Sequence, residues 1–200
     1  VPANAKGGDY AGTVTLTAEG MKTTTVPIEL RVIDWALPPA AEYDSRLDIV
    51  ESPESMAMAY DVEMWSDKHF QLLDKAFELI AQMGGKTLYI TCIRRTHFGN
   101  EHAVVRWTRD EEGNLDKPDF TIAEKYLDVA VKRMGKIPGV ILYAWEPPES
   151  QGHAGGAGSA GRTYDKPILI TVVDRQTGKL SARQGPAWGT PECKTFWKKL

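Results

Sequence analysis

Three charged side chains follow three apolar stretches of the sequence, and each shares the parity of the hydrophobic residues before it. The charges are Glu51, Arg94 and Glu146. The preceding hydrophobic residues are Leu47 and Ile49; Leu88, Ile90 and Cys92; and Val140, Leu142 and Ala144. If these faces point into a barrel of parallel strands, the charges converge at its mouth, where such enzymes place catalytic residues. The alternative is that each charge is simply the first solvated residue after a strand.

The surroundings of Glu146 favour carbohydrate chemistry, because Trp145 precedes it and Pro147-Pro148 follows it. Carboxylates act as general acids and accept hydrogen bonds from sugar hydroxyls. Aromatic faces stack on the apolar face of a pyranose ring. Trp107 is a second candidate platform, although a tryptophan more often belongs to the hydrophobic core. The predicted partner is therefore a carbohydrate.

A polar turn, THFGNEH, follows the second apolar stretch. In and beside it, Arg95, His97 and Asn100 could bind sugar hydroxyls. His97 and His102 lack the helical spacing of zinc proteases and have no third ligand nearby, so no metal is expected. No glycine-rich dinucleotide fingerprint and no G-x-S-x-G motif occurs, so no cofactor and no acyl-transfer chemistry is predicted.

The charge pattern excludes two classes of partner. The chain carries 24 Lys and Arg against 27 Asp and Glu, a formal net charge of −3, and no basic run exceeds two residues. This is not the electrostatic footprint of a nucleic-acid binder. No apolar run approaches the roughly 20 residues that span a bilayer, so no membrane partner is expected. The oligomeric state stays open.

The first part of the chain has the pattern of an antiparallel hairpin. Residues 10–18 and 26–32 alternate apolar and polar side chains, as half-buried strands do. Because two strands alone are only marginally stable, residues 1–37 are predicted to be the C-terminal strands of a β-sandwich. Residues 38–43, which begin with Pro38-Pro39, are predicted to be a linker.

Residues 44–200 alternate strands and helices, which indicates an α/β fold with a parallel sheet, either doubly wound or closed as a barrel. Two segments, KTLYITCI and GVILYAW, are apolar on both parities, as buried parallel strands are. Helices are predicted from Ser66 to Gly84-Gly85, from a Thr121/Glu124 capping box to Gly135, and from Thr190-Pro191 onwards. Two connections carry hairpin-like sequence, AVVRWTRDEEGNL and ILITVVDRQTGKL. We predict a partial (β/α)8 TIM-type barrel containing three of the eight units.

Several phrases together resemble proteins of glycoside hydrolase family 123, and the resemblance spans nearly the whole chain. The phrases are GDYAGTVTLTAEG, VPIELRVIDWALP, MWSDKHFQLLDKAFELIAQMGGKTLYI, THFGNEHAVVRW and GPAWGTPECKTFW. The resemblance implies an N-terminal β-sandwich followed directly by a (β/α)8 catalytic barrel. It also implies hydrolysis of terminal β-linked N-acetylgalactosamine, in which the sugar's 2-acetamido oxygen is the nucleophile and an adjacent Asp-Glu pair assists.

The sequence departs from that family pattern at the acidic pair. Asp110-Glu111 lies in a hairpin-like insertion rather than at a strand tip, and the Trp145-Glu146-Pro147 segment matches only in part. We therefore expect the pair beyond Leu200 and expect the 200 residues alone to be inactive. The chain begins at Val1-Pro2 with no signal peptide and is interpreted as a piece of a longer bacterial protein, extracellular or periplasmic. The alternatives are a non-catalytic carbohydrate-binding or surface module and an ordinary α/β domain.

Overall fold

The computed structural model describes residues 1–2, 4–96, 98–144 and 167–200. They form two compact units, Val1–Glu42 and Tyr43–Leu200. Within these described ranges, no helix combines the length and the apolar character that a bilayer crossing requires. His97, Trp145 and Glu146, which are candidate site residues, lie outside the described residues.

The first unit is built on an antiparallel hairpin of β1 (Gly8–Leu16) and β2 (Thr24–Val32). Tyr10 pairs with Leu30 and Val14 with Val26, so the apolar side chains share one face. The other face is polar and contains pairs such as Asp9 with Arg31. This confirms the predicted hairpin. A short 3₁₀ helix at Ala40–Glu42 ends the unit.

The described residues of the second unit form six strands and four helices. The strands are β3 (Thr87–Thr91), β4 (Arg106–Arg109), β5 (Leu115–Asp119), β6 (Gly139–Tyr143), β7 (Pro167–Val173) and β8 (Leu180–Ala187). The helices are α1 (Pro53–Ala59), α2 (Asp67–Gln82), α3 (Thr121–Met134) and α4 (Pro191–Trp197). The arrangement is a mixed α/β fold.

The predicted helix starts are confirmed for α2 and α4, but the capping box of α3 is wrong. Ser66 Oγ accepts from the His69 N–H at 3.2 Å, and Thr190 Oγ1 accepts from the Cys193 N–H at 3.2 Å. At α3 the N-cap residue is Phe120, which makes no side-chain cap bond. Thr121 does not cap because its hydroxyl instead donates to Asp119 Oδ1 at 2.6 Å.

The strands predicted near Lys86 and Gly139 are adjacent and parallel. β3 pairs with β6 from Thr87↔Gly139 to Thr91↔Tyr143. Leu47 forms a parallel bridge to Gly85, two residues before β3 begins. The chain at Leu47 therefore runs in the same direction as β3 and β6, and the carboxyl ends of β3 and β6 share one edge of the sheet.

The face of the sheet that was expected to point into a barrel packs instead against helices. Leu88, Ile90 and Cys92 are buried in a core that includes Phe77 of α2 and Tyr126 of α3. For the β3 face that leads to Arg94, the condition of pointing into a barrel is therefore not met. The opposite face carries Thr87, Tyr89 and Thr91, because side chains alternate along a strand.

The two predicted hairpin insertions are confirmed, and they pair with each other. β4 and β5 are antiparallel, β7 and β8 are antiparallel, and a parallel β4–β7 contact joins them in the order β5-β4-β7-β8. This sheet has its own core with α4, in which Trp107 is fully buried and stacks on Phe196 with ring centroids 3.9 Å apart.

The turn from α2 into β3 leaves no room for a side chain at Gly85. A Cβ there would overlap the Ile80 Cγ2 methyl and lie 3.1 Å from the Ile80 carbonyl oxygen. We expect Gly85→Ala to lower the free energy of unfolding of this unit by about 1–3 kcal/mol, as overpacking of a core does. Urea unfolding measures the change. Gly12→Ala is the control, because a Cβ at Gly12 meets nothing within 4 Å. An equal midpoint for both variants would contradict the prediction.

Candidate functional site

A small cavity lies at the carboxyl edge of the parallel strands, and we call it the carboxyl-edge cavity. Its lining includes Glu51, Trp65, Tyr89, Thr91, Asn100 and His102. Its volume is about 20 Å³, which holds about one water molecule. The cavity therefore joins polar groups from the connections that follow the first two strand segments.

Glu51 is the strongest acid–base candidate of this cavity. The Tyr126 hydroxyl donates a hydrogen bond to Glu51 Oε2 at 3.1 Å. Burial raises the pKa of Glu51 from its ordinary 4.5 to about 7, although the Tyr126 hydrogen bond acts in the opposite direction. A carboxyl group with this pKa exchanges its proton near neutral pH, as general acids and bases must.

Tyr126 is a fixed neutral donor to Glu51. Its ring packs edge-on against Phe77 and Trp65, with centroids 5.2 and 6.2 Å away. Burial and the adjacent Glu51 raise the pKa of Tyr126 well above its ordinary value, so the hydroxyl keeps its proton. The sequence indicates Tyr126 only as a core residue of α3, and nothing in the pattern signals the role of its hydroxyl.

Asn100 lies in the cavity wall, but its amide is occupied within its own loop. Its Nδ2 donates to the carbonyl oxygens of Ile93 and His102, each at 2.9 Å. Its Oδ1 accepts from the Thr96 N–H at 3.1 Å and also from the Thr96 hydroxyl. In this structure the Asn100 side chain therefore shapes the loop.

The arginines of the same loop are engaged by Glu101. Arg94 lies 3.4 Å from the Glu101 carboxylate and also donates to the Glu101 carbonyl oxygen, while Arg95 lies 3.2 Å from the carboxylate. The Arg94 side chain is only 9% exposed. Its charge is thus compensated locally, outside the lining of the cavity.

The structure brings two of the predicted site residues, Glu51 and Asn100, to the cavity. Trp107 lies in the core of the second sheet, where its ring has no exposed surface. The cavity also contains Trp65, Tyr89 and His102, which the sequence did not indicate as binding residues. Tyr89 lies in the predicted buried strand KTLYITCI, and Trp65 directly precedes the N-cap of α2. The sequence pattern therefore gave both residues a structural role and not a binding role.

Hydrogen bonds join the start of α1 to the loop that carries Asn100, and both border the cavity. Glu54 Oε2 accepts from the His102 N–H at 3.0 Å, and the Ser52 hydroxyl donates to the Phe98 carbonyl at 2.9 Å. Phe98 also contacts the ring of Tyr89, with centroids 5.8 Å apart. Among the described residues, no three His, Cys, Asp or Glu side chains are grouped as metal ligands. The cavity therefore offers proton exchange, hydrogen bonding and aromatic contact.

Part of the chain matches one family of known proteins. Residues 51–200 match the model of the glycoside hydrolase 123 catalytic domain. No curated protein matches the chain.

A solved structure has a similar fold. It is a family 123 glycoside hydrolase from Clostridium perfringens, described in a study of glycolipid glycan hydrolysis. The TM-score is 0.69 at 18% identity, and the match covers 99% of this chain and 33% of that one. The chain thus spans about a third of that structure. The family match covers three-quarters of the chain, and on this basis the chain belongs to glycoside hydrolase family 123.

Proposed function

We propose that this chain is part of a glycoside hydrolase that acts on glycans. Residues 44–200 would contribute the first part of a (β/α)8 catalytic barrel, and residues 1–37 the last strands of a β-sandwich. The observation that carries the proposal is the family match over residues 51–200. The parallel β3–β6 pair and the cavity at its carboxyl edge support it, because barrel enzymes build their active sites at that edge.

We further propose that the substrate is a terminal β-linked N-acetylgalactosaminide, cleaved with retention. The 2-acetamido oxygen of the sugar attacks C1 while an acid protonates the departing glycosidic oxygen. Water then attacks C1 and reopens the ring that the acetamido group has formed, so the anomeric configuration is retained. The acidic pair that this chemistry needs is proposed to lie beyond Leu200. The resemblance of the sequence supports this assignment.

Glu51 would support the site from the first strand segment. Its residue is partly buried, and with a pKa of about 7 the protonated and ionised forms of the carboxyl group coexist near neutral pH. It could therefore donate a hydrogen bond as well as accept one. The proposed location of the whole protein, extracellular or periplasmic, rests on the resemblance alone and stays a prediction.

A longer protein that contains this chain tests the function. We expect it to release p-nitrophenol from p-nitrophenyl N-acetyl-β-galactosaminide at least about a hundredfold faster than from the β-galactoside, which lacks the acetamido nucleophile. Residues 1–200 alone should release none. A galactose-configured thiazoline, which mimics the cyclic intermediate, should inhibit competitively.

Three results would contradict the proposal or a part of it. Equal rates on both substrates would exclude catalysis by the acetamido group. Saturable glycan binding without turnover by the longer protein would favour the non-catalytic carbohydrate-binding module instead. Turnover by residues 1–200 would show that the catalytic acids lie within this chain.

A further inference from the structure

A groove runs between α1 with its following loop and the β7–β8 hairpin, and we call it the α1 groove. Its volume is about 590 Å³, within the range of small-molecule sites. The lining includes Met58, Asp61, Glu63, Trp65, Arg106 and Leu180. It is thus a mixed surface with one large aromatic ring, and it is much larger than the carboxyl-edge cavity.

The loop that forms one wall of this groove is strained. Trp65 has a φ of +64° and Asp61 a φ of +48°. A large residue such as Trp65 rarely adopts this left-handed region, because Cβ approaches the backbone, whereas Asp adopts it more readily. Such conformations persist only where the surrounding structure enforces them, and they concentrate at ligand sites. The third non-glycine residue of this kind in the described chain is Arg95, in the loop that carries Asn100.

His69 enforces the conformation of Trp65. Its Nδ1 accepts from the Trp65 N–H at 2.9 Å, and its Nε2 lies 2.9 Å from the Pro53 carbonyl oxygen. These partners require the neutral tautomer with the proton on Nε2. His69 is fully buried, and burial lowers its pKa, which keeps the ring neutral. The buried histidine thus fixes the Trp65 backbone to the start of α1.

The indole of Trp65 packs against three neighbouring rings, and the residue also lines the α1 groove. Its centroid is 5.3 Å from that of His69, 5.8 Å from that of Phe70 and 6.2 Å from that of Tyr126. The residue is half buried and lines both the carboxyl-edge cavity and the α1 groove. A rigid, partly exposed aromatic ring loses little conformational entropy when a ligand stacks on it.

The rim of the groove matches a neutral polyhydroxyl ligand. Asp61 and Glu63 are exposed on its edge, and their carboxylates can accept hydrogen bonds from hydroxyl groups. Arg106 is paired with Asp119 at 2.8 Å, so its charge is compensated. Two open carboxylates disfavour an anionic ligand, whereas stacking and hydroxyl recognition suit a pyranose.

We propose that Trp65 is the aromatic platform of a sugar-binding subsite in the α1 groove, which takes one neutral pyranose residue of the glycan. The inference rests on the proposed function and assigns a subsite to it. Asp61 and Glu63 bind the hydroxyl groups of this residue, and His69 is a positioning residue that holds the platform. Trp65 thus takes the role of aromatic platform for which the sequence indicated Trp107.

Fluorine NMR of the full chain labelled with 5-fluorotryptophan tests this subsite. Trp65→Phe assigns the Trp65 resonance by its loss. Titration with methyl N-acetyl-β-galactosaminide, and separately with methyl β-galactoside, should shift that resonance saturably with at least one of the two probes. Trp35, which is 68% exposed in the first unit, is the control and should not shift. An unmoved Trp65 resonance with both probes, or equal movement of Trp35, would overturn the proposal.

Variants of the same chain provide the second measurement. Trp65→Ala should raise the dissociation constant of the bound probe about tenfold, the loss expected for one stacked ring, and Trp35→Ala should leave it unchanged. A folded Trp65→Ala chain with unchanged affinity would refute the subsite. If Trp65→Ala does not fold, Glu63→Ala on the exposed rim should still weaken binding about threefold, and unchanged affinity in that variant would count against the proposal. Failure of hydrolysis by the longer protein would refute the enzyme but not these binding results.

Discussion

Replacing Glu51 with glutamine is expected to stabilise the folded chain at pH 8 by about 3 kcal/mol and to leave its stability at pH 4 nearly unchanged. The cause is burial, which raises the pKa of this carboxyl group from 4.5 to about 7 on folding. Glutamine removes the charge but keeps the shape and an oxygen that can accept from the Tyr126 hydroxyl. The chain therefore keeps the contact and loses the cost of a buried charge.

The sign follows from the order in which the two states release the proton. Below pH 4.5 both the folded and the unfolded chain hold it, so Glu51 contributes no difference. Between pH 4.5 and 7 the unfolded chain releases the proton first, and the folded state therefore loses stability as pH rises. Above pH 7 the destabilisation by ionised Glu51 is complete and no longer changes with pH. It amounts to about 1.4 kcal/mol for each unit that separates the pKa of the folded state from that of the unfolded state.

Urea unfolding of the Glu51→Gln chain and of the unsubstituted chain, at several pH values, measures this dependence. Glu124→Gln is the matched control, because Glu124 is an exposed carboxylate on α3. The control should change stability by less than about 0.5 kcal/mol at every pH. Parallel stability curves for the Glu51→Gln chain and the unsubstituted chain would show that Glu51 is not buried as the structure places it.

Elements governed by local chemistry were predictable from the sequence. Ser66 and Thr190-Pro191 mark the starts of α2 and α4, and strict alternation marks the β1–β2 hairpin. The predicted capping box of α3 was wrong, because the hydroxyl of Thr121 donates to Asp119. Arg106 holds that carboxylate from another strand. The four-residue capping-box pattern does not include Asp119 or Arg106, so it could not predict these interactions.

The orientation of β3 could not be derived from its sequence. KTLYITCI is apolar on both parities, so alternation gives no signal for the face that meets the helices. Only the packing of Leu88 and Ile90 against α2 and α3 decides it. Glu51, which strand-tip charge indicated, lies in the wall of the carboxyl-edge cavity whichever face of β3 meets the helices, and its role in a site stays a prediction.

The partners of the site were hidden by sequence distance. Glu51 and Tyr126 are 75 positions apart, and the α3 pattern gives Tyr126 only a buried position. Trp107 is the opposite case, because the sequence suggested a binding role and the structure shows a core position. Its core partner is Phe196 on α4, 89 positions further along the chain. Aromatic residues have the same composition signal in both roles, and only tertiary contacts separate a platform from a core residue.

Asn100→Leu is expected to lower the free energy of unfolding by roughly 3 to 5 kcal/mol, the largest effect predicted for this chain. The amide is buried, and its loss leaves the carbonyls of Ile93 and His102 and the N–H of Thr96 without their partner. Leucine has a similar volume, so the loss reports on hydrogen bonding rather than on a cavity. Urea unfolding measures it, and hydrogen exchange of the Thr96 amide reports the loop directly.

Asn114→Leu is the control, because Asn114 is exposed in the β4–β5 turn, where its side-chain amide donates to Glu112 at 3.3 Å. It should cost less than about 1 kcal/mol. Asn100→Asp should destabilise the chain as Asn100→Leu does, because a carboxylate keeps the acceptor for Thr96 but provides no donor for the two carbonyls. A stable Asn100→Asp chain would mean that the loop is held by Arg94, Arg95 and Glu101 instead. The wall of the carboxyl-edge cavity would then depend on surface charges, and its geometry should respond to salt concentration.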